Sequence, residues 1–339
     1  IAMMDSAMRT PQNRRPPRIA VVMPCYRVKA QILAVLCAIG EEVATIYVID
    51  DACPDGTASL IETVCKDPRV RVIRHQSNLG VGAAVMSGYR AALADTHDIV
   101  VKIDGDGQMD PADLPRLIHP IVIGQADYCK GNRFFDPEGL SAMPWVRLIG
   151  NGLLSLLSKL STGYWQLFDP NNGYTAIHAH VLAKLPLHKI SQRYFFESDM
   201  LFRLGLMRAV VLDIPMPAHY GNEHSHLHAF KVAPEFLGKH VRNGIKRVLY
   251  QYYLRDMSLA SIQLPAGLAL MAFGIGFGAW HWVQSAVSAT LASAGTVMLA
   301  ALPLIVGVQL ILSFLAADIA SQPRTVQHPL LALSPSKAA

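Results

Sequence analysis

From Met257 to Ala317 the chain carries no Asp, Glu, Lys or Arg. A run of that length is too long for one bilayer span and fits two spans of about 20–25 residues with a tight turn between them. The polar break falls near residues 281–293, and Trp280 and Trp282 stand beside it. Indole rings favour the membrane interface, so their place agrees with a turn at that depth. With about ten strongly apolar residues per span at roughly −0.5 kcal/mol each, insertion gains on the order of 5 kcal/mol per helix. A buried pair of soluble core helices is the alternative, but core helices normally keep a polar face and none is visible here.

The flanks set the expected orientation. Lys231, Lys239, Arg242, Lys246, Arg247 and Arg255 precede the run, Arg324 and Lys337 follow it, and the turn has no basic residue. Positive charge stays on the cytoplasmic side, so both termini and the domain before the spans of this integral membrane protein are expected there. The Arg/Pro-rich stretch 1–17 has no apolar run of signal-peptide type and is expected to be a disordered arm. The formal net charge of +5 gathers beside the apolar run, which suits an anionic leaflet better than nucleic acid. Cys25, Cys37, Cys53, Cys65 and Cys129 all precede the spans and form no CxxC pair, as reduced thiols of a cytoplasmic domain do.

Upstream, strand and helix signals alternate. Stretches at 19–23, 45–49, 70–73 and 99–103 read as strands, the first a short continuous apolar run as in a buried parallel strand. Helical stretches lie between them, at 30–39, from Thr57 as a cap, and from Gly80-Val81-Gly82 to about Ala94. This order predicts an α/β domain with a mostly parallel sheet and helices on both faces. Ligands of such sheets bind beyond the carboxyl ends of the strands. After the domain, Leu237, Val241, Ile245, Val248, Leu249 and Tyr252 recur at helical spacing among basic residues, as in an amphipathic helix lying in the headgroup layer. The expected organisation is an arm (1–17), the α/β domain (18–217), a flap loop and amphipathic juxtamembrane helix (218–256), two transmembrane helices (257–317) and a cytoplasmic tail (318–339).

The strongest chemical signal is Asp104-Gly105-Asp106-Gly107-Gln108, directly after the fourth strand. Residues two apart in an extended chain point to one side, so two carboxylates are presented together. Two carboxylates and an amide oxygen suit a hard cation, Mg2+ or Mn2+, which would also hold a pyrophosphate. Asp50-Asp51 ends the second strand, where a carboxylate can accept a hydrogen bond from a nucleobase N–H. Pro24-Cys25-Tyr26 ends the first, where a ring can lie against the base. Gly80-Val81-Gly82 follows the third strand instead of the first, which disfavours a dinucleotide fingerprint. His224-x-His226-x-His228 reads as part of a mobile active-site flap more readily than as a zinc site.

Met23-Pro24-Cys25-Tyr26, Val48-Ile49-Asp50-Asp51 with Pro54-Asp55-Gly56-Thr57, Asn78-Leu79-Gly80-Val81-Gly82, Asp104-Gly105-Asp106-Gly107-Gln108 and Gly131-Asn132-Arg133-Phe134 together resemble family 2 glycosyltransferases. Asp169-Pro170-Asn171-Asn172-Gly173-Tyr174 is similar to an element of the dolichyl-phosphate mannosyltransferase and bacterial polyprenyl-phosphate branch. The resemblance covers about residues 19–220. It implies a GT-A (Rossmann-like) fold, a UDP- or GDP-sugar donor, a divalent cation, inversion at the anomeric carbon, a polyprenyl phosphate acceptor in the membrane, and leaves homo-oligomerisation open. By the same resemblance Pro24, Tyr26, Asp51 and Asp104 serve the nucleotide, and Asp104, Asp106 and Gln108 surround the metal. Arg133 and Arg147 match two arginines that hold the lipid phosphate. Val81 stands where relatives often carry Lys, and Cys25 and Arg27 replace the usual neighbours of the aromatic residue.

Two acceptors are compatible with these residues. A phosphate monoester has a second pKa near 6, is mostly dianionic at neutral pH, and needs no general base. A sugar hydroxyl needs one, and Asp199 of Glu197-Ser198-Asp199 is the candidate. A non-enzymatic membrane module is the third reading, and the intact acidic pair speaks against it.

Overall fold

The computed structural model describes residues 15–135, 145–170, 172–217 and 229–332, the side chains of 145–149 and 229–232 excepted. Most of the arm, the triple-histidine flap and the end of the tail lie outside the described residues.

Seven strands form one sheet in the order β3-β2-β1-β4-β6-β5-β7. They are β1 Ile19–Cys25, β2 Val43–Asp50, β3 Val70–Arg74, β4 Ile99–Lys102, β5 Tyr128–Asn132, β6 Thr175–His178 and β7 Val211–Pro215. β1 runs parallel to β2 and β4, and β2 to β3. β6 is antiparallel to both β4 and β5, while β7 is parallel to β5. The sheet is therefore mostly parallel, with one reversed strand that the helix–strand alternation of the sequence did not reveal. β1 is buried on both faces, which explains its unbroken apolar run. Alternate residues feed two cores: Val21, Met23, Ile46, Val48 and Val101 on one face, Ala20, Val22, Tyr47, Ile49 and Val100 on the other.

Among the described residues eleven helices accompany the strands: α1 Ile32–Ala38, α2 Thr57–Val64, α3 Val81–Ala94, α4 Leu114–Val122, α5 Trp145–Thr162, α6 Ala179–Leu182, α7 Phe196–Leu206, α8 Ala229–Leu249, α9 Leu259–Ser288, α10 Ala294–Ala320 and α11 His328–Ala332. Thr57 is the first helical residue of α2 and not its cap. The Asp55 carboxylate caps instead, accepting the Thr57 N–H at 3.0 Å and its hydroxyl at 2.6 Å.

α9 and α10 are 30 and 27 residues long and apolar enough to cross a membrane. They fold back on one another so closely that a Cβ on Gly307 would lie 2.8 Å from the Gly267 carbonyl. Their outer faces stay uncovered: of the most apolar windows only 22% and 11% are buried. A core pair in a soluble protein would be mostly buried.

The base of this hairpin is tied to the α/β body by a buried charge. Asp318, near the end of α10, is 1% exposed and accepts Arg247 of α8 at 2.7 and 3.0 Å, the Tyr252 hydroxyl at 2.6 Å and the Trp165 indole N–H at 2.8 Å. Arg247 also donates to the Leu160 carbonyl at 3.0 Å. Beyond α10 the chain does not trail away over its described part. The N–H groups of Gln327 and His328 bond to Asp127, as does Val210 N–H from the body. The His328 ring bonds the same carboxylate at 2.9 Å and stacks on His178 at 4.2 Å. Burial alone would raise the Asp127 carboxyl, but these donors outweigh it and hold it below its usual range.

Two outcomes follow. Removing one partner of the Arg247–Asp318 pair leaves a buried charge, so Asp318→Ala and Arg247→Ala should each cost about 3–5 kcal/mol, while the joint Arg247→Met/Asp318→Leu change should recover most of it. Thermal unfolding in detergent checks this; a single change without effect would show the pair to be dispensable. The second concerns His240 on α8, which is 2% exposed with Nδ1 2.8 Å from the Ser161 hydroxyl. Burial lowers its pKa to about 4. The unfolded ring protonates near 6.5, so its contribution is complete above that value and declines as pH falls from 6.5 to 4. At pH 5 the loss should be about 2 kcal/mol, and His240→Gln should flatten that part of a stability–pH curve.

Candidate active site

The strands β1, β2 and β4 end at one edge of the sheet, with Cys25 beside Asp50 and Val22 beside Lys102. Asp104 follows β4 and is 27% exposed; the Lys102 ammonium donates to its two oxygens at 2.8 and 2.9 Å. Lys102 itself is a strand residue pointing into the core, where its side chain is 2% exposed. The same ammonium lies 3.9 Å from Glu197 and 5.5 Å from the Phe196 ring centre, both in the first turn of α7. Burial pushes the Glu197 carboxyl up to about 7; Lys102 opposes that rise and Asp104 adds to it. The backbone of Gly173 closes over this cluster, and a Cβ there would overlap Lys102 Nζ and lie 2.7 Å from Asp104 Oδ2. The glycine of the Asp169–Tyr174 element is thus required by close approach.

Asp106 is half-buried on the next loop, and its Oδ1 accepts the Gln108 N–H at 3.0 Å. Gln108, Met109, Asp110, Arg133, Asn172 and Tyr174 line one cleft. The structure therefore brings Gln108 of the acidic loop and Arg133 into the same space. Arg133 follows β5 and grips Asp169 with two hydrogen bonds of 2.9 and 3.1 Å. That fork holds the guanidinium in one plane, the arrangement that suits a phosphate. Under it, the buried Lys130 ammonium donates to the carbonyls of Asp169 and Asn172, and burial lowers its pKa. Burial also pushes the neighbouring Asp213 carboxyl up to about 6. Arg147 lies in α5, but its side chain is outside the described residues.

Two expectations need correction. Asp51 does not face a cleft. It is 3% exposed and accepts Leu79 N–H at 2.9 Å, Gly80 N–H at 2.7 Å and His75 Nδ1 at 2.8 Å. At a parallel strand end the nearest donors are the N–H groups of the next loop, and the carboxylate organises that loop. Gly80 and Gly82 pack against the loop before α7, where Cβ atoms would lie 2.7 Å from the Gln192 carbonyl and overlap that of Ser191, in keeping with the disfavoured dinucleotide fingerprint. Asp199 is 2% exposed and accepts Ser191 N–H at 3.0 Å and Asn243 Nδ2 at 3.3 Å, with Arg203 at 3.5 Å. Residues two apart on a helix point roughly 200° from each other, so Asp199 turns inward and Glu197 turns to the site. Glu197 was missed as a site group. Its signal was Lys102, a charge inside an otherwise apolar strand, which demands a buried partner.

Pro24 is buried in β1 beyond its last rung to β4, where its missing N–H leaves no bond to that strand open. Tyr26, just past the strand, is 44% exposed, with the Arg27 guanidinium 5.5 Å from its ring centre. Its ring is presented at the mouth of the sheet edge and not packed in the core.

Comparisons with known proteins agree with this geometry. The family described as glycosyl transferase family 2 matches residues 20–185. An undecaprenyl-phosphate mannosyltransferase of Micrococcus luteus is 30% identical over 59% of this chain and 82% of its own length. A polyprenol monophosphomannose synthase of Mycolicibacterium smegmatis is 29% identical over 61% of this chain and 79% of its own. A UDP-N-acetylglucosamine–dolichyl-phosphate N-acetylglucosaminyltransferase of Methanococcus voltae is 26% identical over 60% and 86%. Among solved structures, glucosyl-3-phosphoglycerate synthase of Mycobacterium tuberculosis in complex with Mg2+ and UDP superposes with a TM-score of 0.50 at 21% identity, over 68% of this chain and 79% of that one; this likeness bears on the fold. With a family match spanning β1 to β6, a relative at 30% identity covered over 82% of its length and an acidic loop at the expected sheet edge, the chain belongs to glycosyltransferase family 2.

Proposed function

We propose that this glycosyltransferase moves a sugar, with inversion, from a nucleoside diphosphate to a polyprenyl phosphate at the cytoplasmic face of a membrane. The observation that carries the reading is the shared cleft of Gln108 and Arg133, which sets the acidic loop beside a guanidinium able to take a phosphate. The named activities of the relatives support the acceptor class.

The residues fit a divalent cation by their chemistry. Asp104, Asp106 and Gln108 offer oxygen donors alone, on a partly exposed loop, as Mg2+ and Mn2+ prefer. A bound cation would neutralise charge on the departing diphosphate. The chain's own residues do the rest. Arg133, held flat by Asp169, orients the acceptor phosphate so that one oxygen faces the anomeric carbon. That phosphate is already dianionic, so no side chain has to remove a proton. Tyr26 offers its exposed ring to the base.

The membrane face is supported by an apolar surface continuous with the hairpin. On α8, Leu237, Val241, Ile245 and Leu249 are each about half exposed, and beside them α5 exposes Leu153, Leu156 and Leu160. A headgroup layer would cover these stripes, with Lys239, Arg242 and Lys246 toward anionic lipid. The lipid tail of the acceptor then never leaves the bilayer.

A hydroxyl acceptor is the second reading, and Glu197 favours it over Asp199 as the base. With its carboxyl at about 7, such a base works above that pH and is lost as pH falls through it.

Asp106→Ala should lower transfer to a short polyprenyl phosphate about 100-fold or more without lowering the unfolding temperature, measured with a panel of UDP-, GDP- and dTDP-sugars. An unaffected rate would remove the loop from the mechanism. Glu197→Gln should retain transfer to lipid phosphate within about tenfold, the acid limb staying at the acceptor's own pKa near 6. Loss of more than about 100-fold, together with disappearance of a limb near 7, would establish the hydroxyl reading.

A further inference from the structure

We propose that Lys102 is a built-in counter-cation that makes divalent-cation binding at the Asp104–Gln108 loop depend on the nucleotide diphosphate. The inference rests on the reading of that loop as a metal site. It arises from a feature that the transfer mechanism does not use: an ammonium group enclosed at the base of the site.

Lys102 has no route to water. Its side chain is 2% exposed, its Nζ meets both oxygens of Asp104, Glu197 lies at 3.9 Å, and the Phe196 ring covers another side. The Gly173 backbone sits over Nζ so closely that not even a methyl group fits between. The ammonium therefore stays beside Asp104 whatever else binds. A charge so placed acts through a poorly screened, low-dielectric path on anything that approaches the same carboxylate.

The consequence is a division of labour between protein and substrate. With Lys102 at 2.8 and 2.9 Å from its two oxygens, Asp104 has its negative charge balanced, so the loop attracts a lone cation less than its carboxylates would without the lysine. A cation arriving alone meets a weakly negative loop and a fixed positive charge. A nucleoside diphosphate supplies the missing negative charge, and its own phosphates are attracted by Lys102 as well. Metal and nucleotide thus each improve the other's binding, by one and the same factor. A site with this property stays empty until the donor arrives and releases the metal once the nucleotide leaves.

The experiment compares the full chain in detergent with Lys102→Met and with Lys102→Met/Glu197→Gln, the second change guarding against an unpaired buried carboxylate. Mn2+ affinity is measured by electron paramagnetic resonance and calorimetry, with and without saturating UDP or GDP. In the unaltered protein nucleotide should tighten Mn2+ at least about tenfold. Loss of Lys102 should tighten Mn2+ in the absence of nucleotide about tenfold, weaken nucleotide alone, and shrink the coupling between them toward unity. A merely structural lysine would lower the unfolding temperature without changing that coupling. Equal nucleotide-free Mn2+ affinity, within about twofold, in the unaltered protein and both variants would overturn the inference while leaving the metal site standing. Absence of Mn2+ binding even with nucleotide, unchanged by Asp106→Ala, would remove the metal reading of the loop and this inference with it.

Discussion

A buried charge must be matched where it lies, and the Arg247–Asp318 pair shows what that requirement does to this fold. Asp318 belongs to an apolar helix and Arg247 to a basic one, yet they meet at 2.7 Å with both side chains almost fully enclosed. Neither charge can be solvated elsewhere once the hairpin is in place. The pair therefore fixes where the hairpin leaves the α/β body, and Tyr252 and Trp165 complete the shell around the carboxylate. The hydrogen bonds of Asp127 with Gln327 and His328 secure the chain again on its return. The catalytic domain is thereby held against the base of the hairpin by polar contacts from both sides.

The same rule shapes the site. Lys102 and Lys130 both sit in strands, and each is buried with acidic or carbonyl partners brought by a different segment. Lys102 draws Asp104 and Glu197 together. Lys130 holds the Asp169–Tyr174 element, whose Asp169 in turn fixes Arg133. Two lysines under the floor thus position the two halves of the cleft above it, the acidic loop and the Arg133–Asp169 fork. Rigid charges of this kind are what transfer chemistry needs when the nucleophile is already ionised and rate depends on placement.

Much of this was legible in the residues. The strand signals at 19–23, 45–49, 70–73 and 99–103 became β1 to β4, and the clearest of them, β1, is buried on both faces and so leaves an unbroken hydrophobic signature. The charge-free run became two long apolar helices for an equally local reason. The strands β5 to β7 were not read, since Tyr128–Asn132 and Thr175–His178 mix polar and apolar residues, and the reversed direction of β6 is a matter of pairing alone. At the site, Gln108 of the acidic loop and Arg133 meet in one cleft, whereas the carboxylates of Asp51 and Asp199 are buried among donors of neighbouring segments.

Those two corrections share a cause. A carboxylate beside a motif looks available in a sequence, because composition and spacing say nothing about which N–H groups will surround it. The sequence by itself determined the parts: a parallel α/β sheet, an acidic loop at a strand end, a basic amphipathic helix and an apolar pair. These follow from periodicity and from the cost of burying polar groups, both of which act over a few residues. The tertiary structure decided which charged groups face the cleft and which are consumed in holding it. Asp51 and Asp199 turn to the N–H groups of neighbouring loops and Glu197 to Lys102 because helices and loops distant in sequence bring the partners, and that meeting exists only once the chain has folded.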